Sequence, residues 1–274
     1  MRVLTILPSV ALSASLVGCL PPPDDDSTEP VTAAEAQQAL DEAAVATEAA
    51  NLMGSSIEIG TSFTIGGALE EAAAELGQFV ESQLPCAEVT LAQNTLSITY
   101  GALEGNCTYQ GHTYSGTHAI TVSSTEEAQI VVEHTWADLS NGKVTLSGEA
   151  VVTWTLQDEL SRHVIHELTW TRLGDGLTGT GSGDRLQRGL NGDVTQGLAI
   201  DGERAWTGNA GTWDLAIDGV ELRWIDPVPQ AGLYTLTTPS EKQLSLGFER
   251  KDEDTITVTV ASGEQSFGFD VTSF

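Results

Sequence analysis

The chain has 274 residues, 39 of them acidic and 11 basic, for a formal net charge of −28. Such a surface repels nucleic acid and anionic lipid, which excludes binding to either through general charge, and it keeps an exported domain soluble. The length suffices for one large core or two small ones, and beyond the N-terminal leader no apolar run is long enough to span a membrane as a helix.

At the N-terminus, Arg2 supplies a positive end to an apolar run from Val3 to Val17. The run is too short for a bilayer and is closed by small residues, the pattern of a cleaved export signal. Its last residues, Leu16-Val17-Gly18-Cys19, resemble the lipobox of bacterial lipoproteins. The resemblance covers the leader alone and implies cleavage before Cys19, diacylation of its sulfur and acylation of the new amino group, giving a stable membrane anchor. Leu20, in place of an aspartate directly after the cysteine, favours the outer over the inner membrane. An ordinary secretory signal with a chance cysteine is the alternative. Cleavage removes Arg2 and no acid, taking the net charge from −28 to −29.

Leu20 to Pro30 carries four prolines and the run Asp24-Asp25-Asp26, too little apolar surface to fold. As an extended tether it reaches roughly 35 Å from the membrane. Residues 1–18 thus read as signal, 19–31 as lipidated cysteine and tether, 32–85 as a helical segment, and 86–274 as a β region forming one domain with the helices. With Cys19 taken by lipid, Cys86 and Cys107 remain and are expected to form a disulfide in an oxidising compartment.

Thr32-Ala33-Ala34-Glu35 has the spacing of a capping box, and the alanine-rich helix it opens is expected to end at Gly54. A second helix is read from Leu69, Ala72, Ala73, Leu76, Val80 and Leu84 at helical spacing, with Pro85 stopping it. From Ala87 the period is two. Runs rich in Val, Ile, Thr and Trp are separated by Asn141-Gly142, Asp175-Gly176, Asn191-Gly192, Asp201-Gly202 and Asp218-Gly219, each read as a hairpin turn. The fold class is mainly β: an antiparallel meander of about ten to twelve strands, a curved sheet or partial barrel, with the two helices packed on it.

His118, His134 and His166 share the apolar face of successive strands. A turn near Glu126 sets Val122 against Ile130 and His118 against His134; Gly142 then sets His134 across from Gly148 and Trp136 across from Leu146, with His166 nearer Val152. Two adjacent imidazoles are candidate metal ligands or an acid–base pair, but without a third ligand they read first as hydrogen-bonded core residues. His163 and His166 point to opposite sides of a strand. Gly174 to Gly179 spells G-x-G-x-x-G without the helix that motif requires, and Gly179 to Gln187 matches a calcium-binding nonapeptide at few positions and only once. Trp213, Arg223 and Trp224, beside Asp226-Pro227-Val228-Pro229, are candidates for a recognition surface, with sheet packing and a fixed corner as the plainer reading.

No catalytic residue is nominated, and no cofactor. The reading is a monomeric, membrane-anchored envelope lipoprotein with a non-catalytic binding or structural role and no nucleic-acid partner. Its partner would be a hydrophobic ligand or another envelope protein. The alternatives are a periplasmic carrier of lipid, which needs a wide apolar cavity between helices and sheet, and a metal-dependent enzyme using the histidines.

Overall fold

In a computed structural model of the chain, residues 29–61, 69–109, 111–124, 129–155 and 161–272 are described. The signal, the lipobox and most of the tether lie outside them. Two helices, α1 (Ala33–Thr61) and α2 (Leu69–Gln83), precede the strands. These are β1 (Glu88–Ala92), β2 (Thr95–Tyr100), the short pair β3 (Thr108–Tyr109) and β4 (His112–Thr113), β5 (Ser115–Ser124), β6 (Ile130–Ser140), β7 (Val144–Thr155) and β8 (Ser161–Arg172). Then follow β9 (Thr178–Leu190), β10 (Asp193–Gly208), β11 (Gly211–Arg223), β12 (Ala231–Thr237), β13 (Gln243–Arg250), β14 (Thr255–Ser262) and β15 (Gln265–Thr272).

Apart from β3–β4, the strands form one antiparallel meander of 13, each pairing with its neighbour in sequence, and the sheet does not close: β1 and β15 are its edges. The strand number exceeds the expected ten to twelve because several turns carry no Asn-Gly or Asp-Gly pair. β1 and β2 are joined at Gln93, with φ 57°, and β14 and β15 at Gly263.

α1 begins as the sequence dictates. Thr32 N–H donates to Glu35 Oε2 at 2.8 Å and Glu35 N–H donates to Thr32 Oγ1 at 3.2 Å, the reciprocal bonds of a capping box. It does not end at Gly54. Leu52, Met53, Ser56 and Ile57 on either side of that glycine are buried, and their burial outweighs the roughly 1 kcal/mol that glycine costs inside a helix. α2 ends where Pro85 requires, with Leu76, Val80 and Leu84 in the core.

The helices cover one face of the sheet, here the inner face. Its main core joins α1 and α2 to Leu96, Ile98, Ile120, Val122, Val132, Trp136, Leu146, Val152, Val164, Leu168 and Trp170 on β2 and β5–β8. α1 then continues past the ends of the later strands. Ala46 packs on the stacked rings of Trp206 and Trp213, Lys242 reaches Glu35, and Val31 N–H donates to Ser262 Oγ. A third cluster, Phe248, Ile256 and Val258, lies under Val228 at the far end of β13–β14.

Cys86 and Cys107 are disulfide-bonded, Cα atoms 5.3 Å apart, tying the end of α2 to the β2–β3 connection. Among the five Asn-Gly and Asp-Gly pairs, those at 141, 175 and 191 are turns. Asp201-Gly202 and Asp218-Gly219 are not: they lie inside β10 and β11, at register shifts after Ile200 and after Asp218. There the positive φ that Asp-Gly permits makes β-bulges in adjacent strands rather than hairpins. Asp201 clamps the two, its Oδ1 accepting from Gly219 N–H at 2.8 Å and its Oδ2 pairing with Arg188. Among the described helices none is long and apolar enough to cross a membrane.

Candidate functional site

The three histidines do reach the inner face, in a register different from the expected one. Val122 pairs with Val132, Ile120 with His134 and His118 with Trp136, two residues further along than a turn near Glu126 gives. Across β6–β7, His134 faces Ala150 and Trp136 faces Gly148, because Asp138, with φ 53°, adds a bulge residue before Leu139 pairs with Leu146. His166 pairs with Ala150 rather than sitting by Val152.

His118 and His134 therefore meet diagonally, with Nε2 of the first 2.9 Å from Nδ1 of the second. Tyr100 Oη lies 3.4 Å from His118 Nδ1. With the phenol donating there, His118 Nε2 carries the proton and donates to His134 Nδ1, so the bonds run in one direction. Trp136 stacks on both rings. His134 is 0 % exposed, and burial holds its pKa at about 3; burial and its neighbour hold His118 well below the usual histidine range. Both are neutral core imidazoles at physiological pH, and among the described residues no third His, Cys, Asp or Glu joins them as a metal-ligating group. His163 faces the other way, paired with Asp184 on the outer face.

Trp213, Arg223 and Trp224 are not brought together. Trp213 is buried under α1, and ten residues of β11, roughly 33 Å of strand, separate it from Arg223. Trp224 is 42 % exposed and donates its indole N–H to Val194 O at 2.7 Å, while Arg223 and Arg250 both pair with the buried carboxylate of Asp226. These residues fix a corner.

What the sequence did not single out lies next to His166. β9 pairs with β8 so that Gly179, Gly181, Gly183, Arg185 and Gln187 face inward. The glycines are seats for rings from β8: a Cβ at Gly183 would come within 2.4 Å of His166 Cε1, and one at Gly179 within 2.2 Å of Trp170 Cζ2. On β10, Arg204 pairs with Gly183 and Gly202 with Arg185, which places the two arginines diagonally, Cα atoms roughly 7–8 Å apart. Arg162, on the other side, stacks over Trp154 and donates to Gln187. The result is an oblique row of three arginines on three adjacent strands.

Lys143, Arg172, Arg188, Arg223, Lys242, Arg250 and Lys251 each pair with a carboxylate. Arg185 and Arg204 make no ion pair among the described residues, and the buried Nε of Arg185 has no hydrogen-bond partner. Burial first, then the charges of Arg204 and Arg162, lower Arg185 to about 10, and burial lowers Arg204 as well. His166 is held at about 3 by burial and by both arginines, and its buried Nδ1 is unpartnered among the described residues. Burial pushes the nearby Tyr234 phenol up against the opposing pull of the two guanidiniums.

The row containing Arg185 continues across the sheet through Gly202, Ile217, Tyr234, Leu246, Val260 and Phe267. Phe267 is 61 % exposed and Phe269 45 %, their rings stacked at 6.3 Å. Arginine without an ion pair among the described residues stands at one end of this row and bare aromatic surface at the other. Comparison with protein-family models, with curated proteins and with solved structures finds no match to this chain.

Proposed function

We propose that the chain is a lipid-anchored protein of the bacterial cell envelope with a non-catalytic binding role, and that its binding surface is the half of the inner face formed by β9–β15. The observation that carries this reading is the change along one continuous face. Over β1–β8 the space beneath the helices is filled by Leu52, Met53, Ile57, Leu76, Val80 and their partners on the sheet. Over β9–β15 the same face has only the smaller buried clusters at Trp206–Trp213 and at Phe248–Ile256–Val258, and beside them it carries Arg185 and Arg204, without an ion pair among the described residues, and the exposed rings of Phe267 and Phe269. The anchor rests on the lipobox-like Leu16-Val17-Gly18-Cys19. A carrier with its ligand between helices and sheet finds that space occupied by core side chains.

Mass spectrometry of the protein expressed in a bacterial host tests the anchor. The expected product begins at an acylated Cys19, and Cys19→Ala releases the protein from the membrane; an unmodified cysteine ends the lipoprotein reading. For the surface, a photo-crosslinking benzoylphenylalanine replaces Phe267 on the inner face or Val151 on the outer. Adducts confined to position 267 are expected, and equal capture at both would remove the inner face as the binding surface.

A further inference from the structure

We infer that the inner face between His166 and Leu246 binds a fatty carboxylate, its head held by Arg185 and Arg204 and its chain laid across Tyr234 and Leu246. This rests on the proposed binding role of that face and names its ligand class.

In a chain with 39 acidic residues, two arginines without a carboxylate partner among the described residues are an exception that chain composition makes conspicuous. Their charges also oppose each other across adjacent strands. An uncompensated, half-buried pair of like charges is costly, and a bound anion counters the repulsion and offsets the desolvation penalty through its attraction to both. Gly183 and Gly202, which pair with Arg204 and Arg185 respectively, leave each arginine a directly opposite side chain on one flanking strand only, Leu215 for Arg204 and Val164 for Arg185. The unpartnered Nδ1 of His166 lies beside the same glycine.

The register supplies the second half of the argument. Beyond Arg185 the row Gly202, Ile217, Tyr234 and Leu246 carries no charged residue, so a ligand whose head sits at the arginines meets uncharged side chains across β10–β13. Such a surface complements a molecule that is anionic at one end and apolar along its length. A monoanion is favoured over a phosphate dianion because the surrounding net charge of −28 repels the second negative charge. Carboxylate geometry also matches the guanidinium fork.

The test uses the full chain with Cys19→Ala, which keeps any acyl group of its own off the protein, titrated with dodecanoate, dodecyl phosphate, dodecyltrimethylammonium and acetate. Dodecanoate is expected to bind at least tenfold more tightly than any of the other three. The Arg185→Gln/Arg204→Gln double variant should weaken dodecanoate at least tenfold with an unchanged near-ultraviolet circular dichroism spectrum, and Arg204→Lys should weaken it less. Leu246→Ser should weaken dodecanoate and leave acetate unaffected. Tighter binding of the ammonium or the phosphate, an affinity for acetate equal to that for dodecanoate, or a folded double variant with undiminished affinity would each overturn the inference. Adducts at position 267 without dodecanoate binding would sink this inference alone; no adducts there and no binding would sink the proposed binding surface with it.

Discussion

β5–β8 and β9–β12 present the same face of one sheet, yet they reach stability by different means. On β5–β8 the inward positions from His118 to Trp170 are apolar or neutral histidine, Arg162 excepted, and helices close over them; Trp136 stacks on the rings of both His118 and His134. On β9 the inward positions are mostly glycine, and the side chains that fill the space lean in from the neighbouring strands, His166 and Trp170 from one side and Arg204 from the other. A face packed by its own side chains excludes water and commits to a core. A face lined by glycine borrows its cover, and so it leaves polar groups such as Arg185 Nε without partners among the described residues.

If the covered half carries the stability, its largest test is Trp136→Ala, expected to cost about 3–5 kcal/mol in denaturant unfolding. A loss below about 1 kcal/mol would mean that the stacked histidines close the gap unaided. Next in size is the paired change Cys86→Ser/Cys107→Ser, which frees a loop with a sequence separation of 21. It should cost about 3 kcal/mol and raise hydrogen exchange first in α2 and β1–β2.

Acid tests the covered half in another way. His134 and His166 have folded pKa values of about 3 against 6.5 for the free side chain, so the unfolded chain binds more protons between those limits. Their contribution is complete above pH 6.5 and is lost as the pH falls below it, at about 1 kcal/mol per pH unit for each histidine. Glu35, lowered to about 2 by hydrogen bonds from Thr32 and Lys242, loses its contribution only below pH 4.5. Stability measured from pH 7 to pH 5 should therefore fall, and His134→Gln should reduce that slope by one histidine's share, His118 and His166 keeping theirs, while leaving the loss below pH 4.5 in place.

A smaller effect is expected from Lys242→Ala, about 1 kcal/mol or less, because the Lys242–Glu35 pair at 3.1 Å is partly exposed. The variant should show faster amide exchange in the first turns of α1 and unchanged exchange in β5–β8. The smallest is Phe267→Ser, expected within about 0.5 kcal/mol of the parent protein. A larger loss would show that the open strip is stabilising core surface rather than a place for a ligand.

Local chemistry carried much of the fold into the sequence. The Thr32–Glu35 capping box, the stop at Pro85, the disulfide between Cys86 and Cys107, and the alternation along β5–β8 all depend on residues within a turn, a strand or a short loop, and each is found as read. The inward position of His118, His134 and His166 was legible for the same reason, since alternation fixes the face. Their pairing was not. The bulge at Asp138 and the two bulges at Gly202 and Gly219 follow from what lies across the sheet, and Asp-Gly chemistry permits a bulge as readily as a turn. The arginine row was illegible because Thr178 to Gln187 holds almost no apolar residue by which to tell its two faces apart. Only the pairing of Val164 with Arg185 and of Gly183 with Arg204 turned those residues inward, because a strand without a hydrophobic pattern takes its orientation from its neighbours.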